Sequence, residues 1–143
     1  NHESERRGEQ FVTRKIARSA ARISKGLEST LSLGRLDTFR DWGFAGDYVD
    51  AMVQMMELAT PEDFVIATGV KHSVEQFVDR AFSILGLNWK DHVVQDSRFM
   101  RPAEVPSLCG DASKAKEHLE WTPSVSFDSL VNRMVQAEVN NLS

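Results

Sequence analysis

The sequence predicts a mixed α/β fold in which helices dominate. Three observations carry this. Apolar residues recur at spacings of three and four over several long stretches, and most of those stretches open on a good capping residue. Short apolar or alternating runs lie between them, as short strands require. No glycine-rich phosphate loop follows a strand, so a run of parallel strands built around such a loop is not expected.

The elements follow in order. Val12, Ile16, Ala20, Ile23 and Leu27 fall on one face of a helix predicted from Phe11 to Lys25, with Gly26 ending it. Its other face carries Arg14, Lys15, Arg18, Arg22 and Lys25, and a charged face of this kind is ordinarily solvated. Ser29 to Leu33 alternates and reads as a short strand, and Gly34 opens a turn. Asp47 suits an N-cap, because its carboxylate can accept first-turn N–H groups. Val49, Met52, Val53 and Met56 line one face of the helix that follows, and Met52, Met55 and Met56 read as core packing. Pro61-Glu62-Asp63 is a turn, and Phe64-Val65-Ile66-Ala67 is a compact run expected to be a buried strand. Ser73 and Gln76 form a capping-box pattern for a helix whose core face is Val74, Phe77, Val78, Ala81 and Leu85. Leu87 to Phe99 is irregular, with a short strand expected at His92–Gln95. Pro102 and Pro106 forbid a regular helix beyond it. Asp111 caps a short helix ending near Leu119, and Ser126 caps a last one with the stripe Phe127, Leu130, Val131 and Met134.

Composition narrows the function. A chain of 143 residues has the size of one domain, and 41% hydrophobic residues suffice for a core. A net charge of −4 argues against non-specific nucleic-acid binding. The single cysteine, Cys109, excludes an internal disulfide framework and a cysteine-rich zinc site, and fits a reducing compartment. No apolar run approaches the roughly 18 residues of a membrane span, and no signal peptide is visible. The sequence opens without an initiator methionine, on residues that read like an internal loop, so a fragment of a longer protein is expected.

Catalytic motifs are missing: there is no nucleophile elbow and no P-loop. His2, His72, His92 and His118 lack metal-ligand spacing, and the last three read as surface or capping histidines. Arg40 and Arg101 are better candidates. Each lies beside turn-like or extended sequence, and Pro102 holds the Arg101 backbone extended. A guanidinium pairs in fork geometry with two phosphate oxygens, so scattered arginines beside rigid turns suit a diphosphate. Glu104 can accept hydrogen bonds from ribose hydroxyls. The competing reading has Arg40 paired with Asp37 or Asp41, and Arg101 with Glu104, as surface ion pairs of little energy. Trp42 and Tyr48 have the chemistry to stack a base, but a core role suits them better.

The residues also carry a resemblance. Asn1-His2-Glu3-Ser4-x-Arg6-Arg7-Gly8-Glu9-x-Phe11-Val12-Thr13-Arg14-Lys15-Ile16 resembles the segment after the catalytic Tyr-x-x-x-Lys of the GDP-mannose 4,6-dehydratases. Leu33-Gly34-x-Leu36-Asp37-x-x-Arg40-Asp41-Trp42-Gly43, Phe64 to Gly69 with His72-Ser73, Arg101-Pro102-x-Glu104-Val105, and Gly110-Asp111-x-Ser113-Lys114-Ala115 follow in that family's order. The resemblance spans nearly the whole chain. It implies an extended short-chain dehydrogenase/reductase whose N-terminal Rossmann domain binds NADP and whose C-terminal lobe grips the nucleotide sugar. Residues 1–143 would be that lobe, with 1–10 a cofactor-side loop and the Rossmann domain missing. The implied reaction converts GDP-mannose to GDP-4-dehydro-6-deoxy-D-mannose, on the route to GDP-fucose. Hydride leaves C4 for NADP+, water is eliminated across C5 and C6, and hydride returns to C6.

Carried over by position, His2 and Arg7 match NADP-contacting residues. Asn1 and Lys15 match residues on the nucleotide-sugar side, with Lys15 near the guanine. Arg40 and Arg101 match the diphosphate arginines, and Glu104 the ribose carboxylate. The family's Thr, Glu, Tyr and Lys catalytic set has no counterpart here, so the chain alone is expected to lack dehydratase activity. A homo-oligomer when complete, a cytoplasmic location, and no nucleic-acid or membrane partner are also implied. Glu5 stands where the family usually has Pro, Gln10 where it has Asn, and Arg35 where it has Asn. Glu5 is placed either to weaken cofactor phosphate contacts beside His2 and Arg7 or to pair with Arg6. The short 87–99 segment matches bacterial members rather than the longer animal and plant ones. Two alternatives stand: a GDP-4-keto-6-deoxymannose reductase or other nucleotide-sugar enzyme of the same fold, and a non-catalytic nucleotide-binding or assembly module.

Overall fold

A computed structural model describes residues 1–100, 103 and 105–142. Three helices, α1 (Val12–Ser24), α3 (Val74–Ile84) and α5 (Phe127–Asn141), pack against one another, and their apolar stripes meet as the periodicity predicts. Ile16, Ala17 and Ala20 face Phe77, Val78, Ala81 and Phe82 and the α5 residues Leu130, Val131, Met134 and Val135 in one core, closed by Leu31, Leu33 and Trp42. Small residues on α1 let the helices approach closely. Leu27, assigned to the same stripe, is 55% exposed because it lies past the helix end. At that end Gly26 takes φ 70°, with Gly26 N–H bonded to Ile23 O and Leu27 N–H to Arg22 O. Gly86 ends α3 in the same way.

Capping follows the sequence in two places. Ser73 and Gln76 make the reciprocal capping box of α3, and the Ser126 hydroxyl accepts from Ser129 N–H at the start of α5. The short helix α4 (Ser113–Leu119) begins one residue later than expected. Ala112 is its N-cap residue, and the Asp111 carboxylate reaches Ser113 N–H.

Among the described residues, six short strands form three two-stranded ladders. β1 (His2–Glu3) runs parallel to β4 (Gly43–Phe44), β2 (Leu31–Leu33) runs parallel to β6 (Val93–Gln95), and β3 (Phe39–Arg40) runs antiparallel to β5 (His72–Ser73). The strand pair β2 and β6 matches the two short strands read from sequence.

The α2 region departs from expectation. Helix α2 (Ala45–Met56) starts after Phe44, so Asp47 lies in its first turn and is not its N-cap. The Asp47 side chain turns inward instead, to Ser124 and Val125. The buried side of α2 is Tyr48 and Ala51, which join Ala115, Leu119 and Trp121 in a second core. The stripe expected to be core is on the outside: Val49, Met52, Val53 and Met56 are 47–87% exposed. Residues 64–67 form no ladder. Phe64 and Ile66 lean on the second core, while Val65 is 55% exposed. A β-favouring segment needs a neighbouring backbone to become a strand, and among the described residues none pairs with it.

An apolar helix face beside an unpaired extended segment drives association. The chain is expected to self-associate at high concentration, and Val53→Glu with Met56→Glu to reduce this without loss of helix content. Light scattering on the unmodified chain checks it, and a clean monomer at high concentration contradicts it.

Candidate functional site

Arg40 lies on β3, and its register partner on β5 is His72. Its Nη1 donates to the carbonyls of Phe39 at 2.7 Å and Val105 at 2.8 Å. The 105–108 segment runs beside β3, with Phe39 N–H bonded to Pro106 O and Leu108 N–H to Phe39 O. The end of the Arg101-Pro102-x-Glu104-Val105 motif therefore abuts Arg40. Arg101 and Glu104 themselves lie outside the described residues. Asp37 makes a two-bond fork with Arg35, and the buried Asp41 carboxylate accepts from Thr68, Gly69 and Gly110.

Asn1 and His2 are brought to the same place. Asn1 Nδ2 donates to Asp41 O at 3.3 Å, and Gly43 N–H donates to Asn1 O. His2 meets the buried Tyr48 ring edge-on at 4.6 Å. Burial holds the His2 imidazole below its usual range, aided by the positive charge of Arg7. Tyr48 is pushed upward, first by burial and then by Asp41, Asp47 and Glu3.

Arg7 stands over the Phe11 ring at 3.5 Å, with Nε 3.4 Å from the buried Glu3 carboxylate. Glu3 also accepts from Thr13 Oγ1, and its carboxyl is raised by burial. Glu3 was missed by sequence reasoning, since nothing local marks a carboxylate that will be enclosed. Lys15 sits elsewhere on α1, donating to Ser32 O at 2.7 Å and lying 3.9 Å over the exposed Phe99 ring. Burial lowers its ammonium and Asp96 opposes that shift. The 95–100 segment closes on β2 through Asp96 N–H to Leu33 O and Gln95 Nε2 to Gly34 O. Arg7, Lys15 and Arg40 are thus held by three separate sets of contacts.

The basic face of α1 is paired as well as solvated: Arg14 with Glu138, Arg18 with Glu9, and Arg22 with Glu28. Glu5 pairs with neither Arg6 nor Arg7 but with Arg133 of α5 at 3.3 Å. Trp42 and Tyr48 are core residues, 4% and 1% exposed. His72 stacks on Phe127 at 3.7 Å, His92 Nδ1 is 3.0 Å from Ser29 O, and His118 faces Glu62. Among the described residues no cluster of His, Cys, Asp and Glu suits a metal ion, and no helix is long and apolar enough to cross a membrane.

The fold is that of one portion of the nucleotide-sugar short-chain dehydrogenase/reductases. RMD from Pseudomonas aeruginosa, complexed with NADPH, superimposes with a TM-score of 0.90 at 20% identity, covering 99% of this chain and 46% of that one. The dTDP-glucose 4,6-dehydratase of Bacillus anthracis gives 0.81 at 18% identity, covering 99% and 43%. The chain belongs to the GDP-mannose 4,6 dehydratase family, whose description matches residues 1–134.

Among curated relatives, GDP-mannose 4,6 dehydratase 2 of Arabidopsis thaliana is 58% identical, covering 97% of this chain and 37% of the relative. The Homo sapiens protein is 49% identical, with 97% and 42% covered, and a Vibrio cholerae protein 44%, with 97% and 45% covered. The chain thus spans well under half the length of these relatives. The matches run over 139 positions for Arabidopsis, 156 for Homo sapiens and 166 for Vibrio cholerae. Over the matched length the chain therefore keeps step with the plant relative and not with that bacterial one, contrary to the expectation drawn from the short 87–99 segment.

Proposed function

We propose that residues 1–143 form the nucleotide-sugar-binding lobe of a GDP-mannose 4,6-dehydratase, with residues 1–10 as a loop on the cofactor side. The observation that carries this is the placement of Arg40 on a two-stranded ladder against the Val105 carbonyl, where two motifs of the family meet. There the guanidinium grips the diphosphate of GDP-mannose, joined by Arg101, with Glu104 on the ribose and Lys15 toward the guanine.

Arg7 and His2 fit an anionic dinucleotide. The Arg7 guanidinium lies over Phe11 with its Nε ion-paired to Glu3, and the His2 ring is fixed edge-on to Tyr48. They would hold NADP, whose nicotinamide supplies hydride acceptance and return when bound. The chain's own residues bind and orient: Asn1 is tied to the Asp41 carbonyl beside Arg40, so the cofactor-side loop and the diphosphate arm share one anchor. The outward face of α2 and the unpaired 64–67 segment suit a sheet of the NADP-binding Rossmann domain, and the complete protein is read as a cytoplasmic homo-oligomer. In the absence of the Thr, Glu, Tyr and Lys set, the chain alone is expected to turn over no GDP-mannose.

Calorimetric titration of the chain with GDP tests the reading. Arg40→Ala is expected to weaken GDP by at least about tenfold, the size of one lost charge-assisted fork. No heat from the unmodified chain at millimolar GDP would leave assembly as its role. Incubating the complete protein with GDP-mannose, with and without NADPH, separates dehydration from the net reduction of the reductase alternative.

A further inference from the structure

We propose that Asp41 is the positioning residue of the diphosphate arm. This rests on the reading of Arg40 as a diphosphate ligand. Neighbouring side chains in extended backbone point to opposite faces, so Arg40 faces the site while Asp41 turns into the protein. The Asp41 residue is 6% exposed. One carboxylate oxygen accepts from Thr68 N–H at 3.0 Å and Thr68 Oγ1 at 2.5 Å. The other accepts from Gly69 N–H at 3.0 Å and Gly110 N–H at 3.2 Å. Its backbone carbonyl takes the Asn1 amide. Three remote segments, at residues 1, 68–69 and 110, therefore converge on the residue next to Arg40.

An enclosed carboxylate is tolerated only when its lone pairs are satisfied, and this one is satisfied mostly by backbone donors of two loops. The consequence lies in the 105–110 segment. β3 holds it through Phe39 at Pro106 and Leu108, and Asp41 holds it at Gly110. Gly110 has no space for a side chain, since a Cβ there would lie 2.3 Å from Ala67 Cβ. The segment is thus pinned at both ends, and the Val105 carbonyl that orients the Arg40 guanidinium leads directly into it. Asp41 sets the distance between β3 and the 105–110 segment without touching the diphosphate.

A purely structural staple and a positioning residue differ in one readout. Loss of a staple lowers stability and weakens all ligands alike. Loss of a positioning residue weakens a diphosphate more than a monophosphate carrying the same base. The experiment titrates the chain and its Asp41→Asn and Thr68→Ala variants with GDP and with GMP by calorimetry, alongside thermal unfolding. Asp41→Asn is expected to weaken GDP about tenfold while changing GMP little, and Thr68→Ala to act in the same sense with a smaller effect. Equal weakening of GDP and GMP, or an unchanged GDP affinity in folded Asp41→Asn, overturns the assignment. Should Asp41→Asn fail to fold, the GDP-to-GMP ratio of Thr68→Ala decides, and an unchanged ratio overturns it. A wild-type chain that takes up no GDP overturns the reading of Arg40 itself, a different outcome from a chain that binds GDP and is indifferent to these substitutions.

Discussion

Phe77→Ala is expected to lower the free energy of unfolding by about 3–5 kcal/mol, the range for deleting a buried aromatic ring. Phe77 is 0% exposed and sits where α3 meets the rest of the main core. Its ring lies edge-on to Trp42 at 5.4 Å and to Phe127 at 5.9 Å, and Phe127 stacks on His72. Alanine would remove the centre of this aromatic group and leave a void walled by rigid rings that cannot collapse inward. Two further effects push the cost toward the upper end. Edge-to-face pairs contribute about 0.5–1.5 kcal/mol beyond their buried area, and Trp42 adjoins Asp41 in the chain, so relaxation of the indole disturbs a second network. Phe77→Leu keeps most of the volume and is expected to cost under about 1.5 kcal/mol. Urea unfolding followed by tryptophan fluorescence measures both. A loss below about 1 kcal/mol for Phe77→Ala would show that the site repacks, against the density of contacts seen around it.

The main core was legible because its code is local. Val12 to Ile23 on α1, Val74 to Ala81 on α3 and Phe127 to Met134 on α5 each repeat at helical spacing, and Ser73-x-x-Gln76 and Ser126 mark where two of those helices start. Arg40 was singled out as a fork-shaped cation beside a turn and by the family resemblance, and the fold sets it on β3 against the Val105 carbonyl, while its part in diphosphate binding is the proposal made above. What failed depends on partners far away in the chain. The stripe from Val49 to Met56 is as periodic as the others, but periodicity names an apolar side without naming what covers it. The 64–67 run has the composition of a strand and lacks the backbone that would make it one. Asp41 and Glu3 look like ordinary surface carboxylates in sequence. Only the fold brings Thr68, Gly69 and Gly110 to the first and encloses the second between Thr13 and Arg7.

Asp47 gives the sharpest test of that difference. A helix N-cap, the role its sequence suggests, contributes typically about 1 kcal/mol, and a carboxylate in the first turn about 0.3–1 kcal/mol through the helix dipole. The folded arrangement predicts more. Asp47 is 5% exposed, and its carboxylate accepts Ser124 Oγ at 2.6 Å, Ser124 N–H at 2.9 Å and Val125 N–H at 3.0 Å. These bonds tie α2 to the residues that lead into α5, while Trp121 Nε1 donates to the Asp47 carbonyl at 2.8 Å. Removing the carboxylate strands two backbone donors in a poorly hydrated place. Asp47→Ala is therefore expected to cost about 3 kcal/mol, because hydrogen bonds to charged groups run near 1.5–3 kcal/mol and an orphaned buried donor adds its own desolvation. Ser124→Ala deletes only the hydroxyl contact and should cost about 1 kcal/mol. The double variant should cost less than the sum of the two, because Asp47→Ala has already removed the acceptor that Ser124 uses. Chemical denaturation of the four chains measures the cycle. A loss near 1 kcal/mol for Asp47→Ala, additive with Ser124→Ala, would return Asp47 to the capping role and leave the start of α5 held by its apolar packing alone.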